Sequence, residues 1–167
     1  LFPVRAERTN AALHIAFTPD SIDFDLTGSA IDFSGLMSKG TSFSAKSNGD
    51  GNNSDRTLNF RADIEKMWLS RDGYAENNTF SAVYQNGWKS MSAQGFVGEQ
   101  KVPLVLTLTP TESPDKYDVS MTSKDAGYTL KALDYISTVK GGELKLSSVY
   151  TRGGGSTGTL DVSDFRC

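Results

Sequence analysis

Apolar and polar residues alternate with a period of two along most of this chain. In SIDFDLTG, Ile22, Phe24 and Leu26 alternate with polar side chains. Comparable alternation occurs in segments 57–64, 80–85, 88–96, 102–110, 116–121, 142–148 and 158–165. Because successive side chains of a strand point to opposite faces, this pattern predicts strands with one apolar and one polar face.

Turn signals separate these segments, including a polar stretch at 47–55, Asn86-Gly87, and a glycine-rich stretch at 152–158. Asn-Gly between alternating segments is typical of a tight hairpin. We expect about ten strands in sequential hairpins, forming a mainly β, curled antiparallel meander with a groove. A hydrophobic fraction of 37% and 16 glycines suit a sheet with one solvated face. Residues 1–167 are expected to form one domain.

One segment near the C-terminus departs from the strand pattern. Leu130 and Leu133 share a helical face that Ile136 widens. Asp125 is a suitable N-cap, and Gly141-Gly142 is a stop signal. These features predict a short amphipathic helix of roughly 10 to 13 residues. Because such a helix cannot bury its apolar face alone, we expect these three residues to pack on the concave sheet face or to cap its open end.

Charge and composition limit the classes of function. The formal net charge is −3, so no basic surface for nucleic acid is expected. No apolar run approaches the ~18 residues that span a bilayer. The single cysteine, Cys167, allows no internal disulfide and does not decide the compartment. The chain begins without Met and stops after an apparent strand, so we expect an excised piece of a longer protein, with any membrane segment outside it.

Candidate catalytic and metal-binding groups have plain structural explanations. His14, the only histidine, lies on the polar side of a predicted strand, as a surface histidine does. DGNNSD, residues 50–55, begins like a calcium loop, but Asp55 stands where the loop needs glycine and Arg61 where it needs glutamate. A polar loop is therefore the better interpretation.

Paired carboxylates and aromatic platforms are equally weak candidates. Asp23 with Asp25, and Asp161 with Asp164, could be proposed for glycoside hydrolysis, but they alternate with apolar residues as the solvated face of a strand does. Trp68 and Trp88 have no accompanying basic residues and are expected to pack on strands. We expect no enzyme, no metal and no cofactor.

The C-terminal stretch, from Ser123 to Phe165, carries a recognisable pattern. It has an Asp-Ala-Gly start, an amphipathic helix, a Gly-Gly, a strand, a glycine-rich turn and a strand ending in Asp-Phe-Arg. The matching residues are Asp125, Ala126, Gly127, Leu130, Leu133, Gly141, Gly142, Leu144, Leu146, Gly158, Leu160, Asp164, Phe165 and Arg166. This pattern resembles the AsmA-like C-terminal region of proteobacterial envelope proteins, particularly the YhdP-type branch.

The resemblance implies a fold, a location and a function. AsmA-like proteins are anchored in the inner membrane, extend through the periplasm as long curled sheets with an apolar groove, and are implicated in moving phospholipids toward the outer membrane. It therefore implies a periplasmic segment, tethered through the rest of the full-length protein, with phospholipid acyl chains as partner and no catalytic residues.

The residues expected to line this groove, or to form a core, are Phe24, Leu26, Phe60, Ile64, Leu104, Leu106, Leu108, Leu144 and Leu146. Alternation alone does not separate these two roles. The alternative is an envelope scaffold or protein-interaction domain with a closed core and no bound lipid.

Overall fold

The computed structural model describes residues 1–37 and 56–166, which form a single ten-stranded sheet and two short helices. The elements are β1 Phe2–Ala6, β2 Thr9–Phe17, β3 Ser21–Asp32, α1 Ser34–Met37, β4 Thr57–Trp68, β5 Tyr74–Tyr84, β6 Trp88–Val97, β7 Val102–Pro110, β8 Lys116–Ser123, α2 Ala126–Ala132, β9 Lys140–Thr151 and β10 Ser156–Arg166. The sheet is open and is not closed into a barrel. The mainly β class with a short helix near the C-terminus is therefore confirmed.

Strand order in the sheet follows the chain from β1 to β10, as a meander requires. One pair departs from the expected antiparallel arrangement, because β3 and β4 run parallel with Phe24 beside Phe60. The sheet is therefore mixed, which corrects the prediction of hairpins throughout. Residues 33–56 lie between the two strands, and these 24 residues exceed the dozen or more that a parallel connection needs.

The hairpin predicted at Asn86-Gly87 is confirmed between β5 and β6. Tyr84 pairs with Trp88, so the loop has three residues, 85–87. Both Asn86 and Gly87 adopt positive φ angles, of 56° and 142°. Asn and Gly are the residues that tolerate this conformation best, which explains why this pair marks the turn.

Helix α2 begins where predicted and ends early. The Asp125 carboxylate accepts a hydrogen bond from the Tyr128 N–H at 2.8 Å, which confirms Asp125 as the N-cap. The helix has 7 residues rather than 10 to 13. It is terminated by Asp134 at a φ of 62°, with backbone N–H groups of Asp134 and Tyr135 bonded to the carbonyls of Lys131 and Leu130. This is a Schellman motif, in which Asp takes the place that glycine usually occupies.

The buried core of the described residues is formed where α2 meets one end of the sheet. One cluster joins Ala126 and Leu130 of the helix to Leu144 of β9, with Met121 and Val162 packed against it. A second cluster joins Ala132 to Val97, Val102, Leu104 and Tyr128. The helix thus closes one end of a single-layered sheet. We call this end of the sheet the helix end.

Candidate functional site

The nine residues predicted to line a groove or core lie on one face of the sheet, which we call the apolar face. Residues paired between neighbouring strands share a face. Phe24 pairs with Phe60, Leu106 with Met121, and Leu144 with Ser123. The remaining lining residues follow by alternation along β3, β4, β7 and β9.

One row of the apolar face runs across all ten strands without a polar residue. We call it the central row. Its members, each paired with the next, are Phe2, Leu13, Leu26, Ala62, Phe80, Ala93, Leu106, Met121, Leu146 and Leu160. With neighbouring strands about 4.8 Å apart, nine spacings make the row about 43 Å long along the sheet.

The opposite face is predominantly polar. Beside Leu106 in the chain, Thr107 pairs with Ser92 and Ser120, and beside Leu26, Asp25 pairs with Arg61. Hydroxyl and charged side chains are hydrated at little cost, whereas the apolar face presents surface that water solvates poorly. The two faces therefore differ in chemistry across the whole width of the sheet.

Burial on the apolar face is uneven. Ile64 and Leu144 are nearly inaccessible, at 2% and 1% exposure. Leu26, Phe60 and Leu106 are half-buried. Near the edges of the sheet Phe17 is 70% exposed and Leu160 49%. The apolar face is thus packed as core in part and open to solvent in part, among the residues that the structure describes.

The sheet curls toward its apolar face. Arg152, which follows β9, donates a hydrogen bond at 3.5 Å to the Tyr84 hydroxyl on β5. In a flat sheet, four strand spacings would separate these backbones by about 19 Å. Because side chains stand roughly perpendicular to a sheet, the contact indicates that β5 and β9 approach each other across the apolar face. It also marks the end of the sheet opposite α2, which we call the Tyr84 end.

Aromatic rings concentrate between the centre of the apolar face and the Tyr84 end. Phe24 stacks on Phe60 with ring centroids 4.9 Å apart, and Trp88 lies 6.1 Å from Phe60. Tyr84 meets Trp88 edge to face at 5.3 Å. Such pairs stabilise the sheet by about 0.5–1.5 kcal/mol each beyond their area burial. The expectation that Trp88 packs on strands is confirmed, although the ring is only half-buried.

At the helix end, the three helix residues predicted to pack on the sheet have three different environments. Leu130 is 4% exposed and packs against Leu144, which confirms that the helix lies on the apolar face. Leu133 is the C-cap and is half-buried. Ile136 lies beyond the end of the helix and is 45% exposed, so its predicted packing is wrong. The Schellman turn at Asp134 redirects the chain before Ile136 can follow the helical face.

Two clefts of about 480 and 490 Å³ flank the helix end. They share Ser70, Arg71, Asp134 and Tyr135, and the first also contains Lys131. Charged groups of both signs line them, and they lie away from the central row. They therefore do not extend the apolar face, and nothing in their lining selects one ligand.

Cationic side chains lie over aromatic rings beside these clefts. The Arg8 guanidinium lies 3.7 Å from the centre of the Trp68 ring, and the Lys66 ammonium lies 3.9 Å from that of Tyr74. Hydrogen bonds from Ser34 to the carboxylate, with the charge of Arg8, lower the pKa of Asp32. Burial, followed by the charge of Glu76, raises the pKa of Tyr74. These contacts tie the β1–β2 turn to β3 and β4.

Two buried polar features of the apolar face escaped sequence reasoning. Asn78 is 5% exposed, and its amide donates to the carbonyls of Ile64 and Ala75 at a bulge in β5. The Ser123 and Thr129 hydroxyls are 2.6 Å apart and join β8 to α2. Because each is hydrogen-bonded, these groups can be buried without a large penalty. Asn78 belongs to an Asn-rich stretch, and asparagine is more typical of turns than of buried strand positions.

The other candidates from the sequence lie on the polar face or outside the described residues. His14 is exposed, 3.9 Å from Asp25, which also lies 4.0 Å from Arg61. Asp23 accepts a hydrogen bond from Asn59 at 2.7 Å. The loop at 50–55 is not among the described residues. Within the described part, no group of three or more His, Cys, Asp or Glu side chains is placed to hold a metal ion.

Comparison with protein-family models, curated proteins and solved structures gives no match for this chain. Among the helices of the described residues, none has the length and apolar character needed to cross a membrane.

Proposed function

We propose that this chain is a non-enzymatic segment of a periplasmic, inner-membrane-anchored AsmA-like protein that contacts phospholipid acyl chains along its apolar face. The proposal rests on the resemblance of the stretch from Ser123 to Phe165 to AsmA-like C-terminal regions. Above all, it rests on one observation of the fold. The central row is apolar in all ten strands, and its members in β3, β7 and β9 are half-buried.

A curled apolar surface suits the physical problem of moving a phospholipid. About 30 acyl methylenes at about 0.8 kcal/mol each would cost roughly 24 kcal/mol if exposed to water. A continuous apolar lining reduces this cost at every position along the path, without a nucleophile, a metal or a cofactor. The hydroxyl and charged side chains of the opposite face remain in contact with water.

The dimensions of the sheet are compatible with such a ligand. Strands β3, β4 and β9 have 12 residues each, which at about 3.3 Å per residue gives about 40 Å. One leaflet contributes about half of the ~30 Å hydrocarbon core of a bilayer. An acyl chain therefore fits within the length of one strand.

An envelope scaffold is the second candidate, and a specific observation favours it. Ile64, Leu108 and Leu144 are buried on the same face, and α2 covers its helix end as a core element does. On this alternative, protein rather than lipid covers the remaining apolar surface.

Charge placed on one face or the other separates the two candidates. We would express the full-length protein in a Gram-negative host, purify it from membranes, and quantify phospholipid by mass spectrometry. Leu106→Lys puts a cation in the central row, whereas Thr107→Lys puts it on the polar face one residue away. The proposal predicts that the wild type and Thr107→Lys retain phospholipid and that Leu106→Lys loses most of it.

Absence of phospholipid from the wild type would support the scaffold instead. Equal retention by Leu106→Lys and Thr107→Lys would show that any bound lipid does not contact the apolar face. Circular dichroism of both variants checks that they keep the β fold.

A further inference from the structure

The two ends of the apolar face differ in how deeply their side chains are packed. Toward the helix end, Val97 and Leu144 are 0% and 1% exposed because they pack against α2. Toward the Tyr84 end, Phe24, Phe60 and Trp88 are only half-buried. Among the described residues, the accessible part of the apolar face therefore begins at the Tyr84 end and stops where α2 covers the sheet.

Four aromatic side chains with polar groups stand at the Tyr84 end of the apolar face. Pairing and even spacing along the strands place them on the same face as the central row. They are Tyr84, Trp88, Tyr117 and Tyr150. Rings of this kind combine an apolar surface with an O–H or N–H group, and they are enriched where proteins meet the headgroup level of a membrane. The Tyr84 end thus has the composition of a boundary between hydrocarbon and polar groups.

Arg152 adds a positive charge at this boundary. Its backbone N–H bonds to the Asp115 carbonyl at 2.8 Å, and its guanidinium donates to the Tyr84 hydroxyl at 3.5 Å, which is long for a hydrogen bond. The side chain is exposed, and it forms no ion pair with a carboxylate among residues 1–37 and 56–166. A guanidinium has five N–H donors in a planar fork that fits the oxygens of a phosphate. Most of these donors are therefore not used by the described residues.

We propose that Arg152 and the Tyr84 hydroxyl bind the phosphate group of a phospholipid whose acyl chains lie on the apolar face and point toward the helix end. This inference rests on the proposed function and adds to it the orientation of the lipid and the residues that contact its headgroup. The charges are complementary, because the phosphate of a phospholipid is an anion and Arg152 is a cation. Hydrogen bonds between such groups are charge-assisted and are roughly twice as strong as neutral ones.

The length of the apolar face suits this orientation. Arg152 lies six residues beyond Leu146 of the central row, which is about 20 Å at about 3.3 Å per residue. The acyl chains of one leaflet occupy about 15 Å. With the phosphate at Arg152, the chains would therefore end near the central row, before α2. The reverse orientation would place the phosphate against the apolar cluster of Leu130 and Leu144, where burial of an unpaired anion is costly.

Two photoreactive phospholipids test the orientation. Both are derivatives of phosphatidylglycerol in vesicles of phosphatidylcholine. One carries the photoreactive group on its headgroup, and the other carries it at the end of an acyl chain. Each is irradiated with the full-length protein, and the labelled residues are mapped by peptide mass spectrometry. We expect the headgroup probe to label the Tyr84 end and the acyl-chain probe to label the central row.

Removal of one cation tests the role of Arg152. Arg152→Gln should lower headgroup labelling at the Tyr84 end by about tenfold or more, since a hydrogen bond to a charged group contributes about 1.5–3 kcal/mol. Lys116→Gln is the matched control, because it removes an exposed cation from the polar face at the same end of the sheet. It should leave the labelling unchanged. Circular dichroism checks that both variants keep the β fold.

The outcomes separate this inference from the function on which it rests. Headgroup labelling at the helix end, or equal headgroup labelling in Arg152→Gln and wild type, would overturn the orientation. Contact between acyl chains and the central row would then still stand if the acyl-chain probe labels that row. Failure of the acyl-chain probe to label the apolar face in the wild type would contradict the proposed function itself, and the orientation with it.

Discussion

Leu130 and Ile136 are both predicted from the sequence to pack against the sheet, and the structure gives them opposite roles. Leu130 is 4% exposed between α2 and β9, whereas Ile136 is 45% exposed beyond the helix. Truncating Leu130 to alanine removes apolar groups worth about 0.8 kcal/mol each and leaves a cavity, for a total of about 2–5 kcal/mol. Truncating Ile136 leaves no enclosed cavity, and about 1 kcal/mol or less is expected.

The free energy of unfolding of Leu130→Ala, Ile136→Ala and wild type is measured by urea titration with tryptophan fluorescence and far-UV circular dichroism. The expected losses differ by at least about 1 kcal/mol, which is a large part of the 5–15 kcal/mol of a typical domain. Equal losses in the two variants, or a loss below about 1 kcal/mol for Leu130→Ala, would refute the assignment of α2 as the cover of the helix end.

Three further results are expected. Gly127→Ala should destabilise the fold, although alanine favours helices by about 1 kcal/mol, because a Cβ there would overlap the Val139 carbonyl; thermal melting measures the sign. Asp125→Ala should cost about 1 kcal/mol in urea unfolding by removing the N-cap, and Asp125→Asn should retain most of it. The lowered pKa of Asp32 contributes stability above its ordinary value of 3.8 that is lost as the pH falls through the lowered value, so Asp32→Asn should flatten the acid limb of stability against pH.

Strand positions could be predicted because alternation is a local property that pairing preserves. Leu104, Leu106 and Leu108 share a face in the sequence and in the sheet alike. The parallel pairing of β3 with β4 could not be predicted in this way, since alternation is the same in parallel and antiparallel neighbours. Only the length of the connection carries that information, and sequence reasoning treated its polar part as a hairpin loop.

The end of α2 could not be predicted for a different reason. Sequence rules place helix ends at glycine, which led to Gly141-Gly142. In the structure Asp134 adopts the left-handed conformation, and Gly141 and Gly142 have positive φ angles within β9 instead. Asp tolerates that conformation less well than glycine, so its use depends on packing that the sequence does not reveal.

For the candidate site, too, local features could be predicted from the sequence and features that depend on long-range contacts could not. Membership of the apolar face follows from period two alone. The curl that brings Arg152 to Tyr84 and the uneven burial along the face depend on distant contacts. Asn78 was also missed, because its burial depends on a bulge that places its amide beside the Ile64 carbonyl.

The claim that the apolar face contacts phospholipid is tested most directly by site-specific photo-crosslinking. A photoreactive residue replaces Leu106 in one variant and Thr107 in another, and the full-length protein is irradiated in cells. The two positions are adjacent and both half-buried, so they differ mainly in the face they occupy. Phospholipid should be crosslinked at position 106 and not at position 107. Equal phospholipid at both positions, or only protein crosslinked at 106, would contradict it.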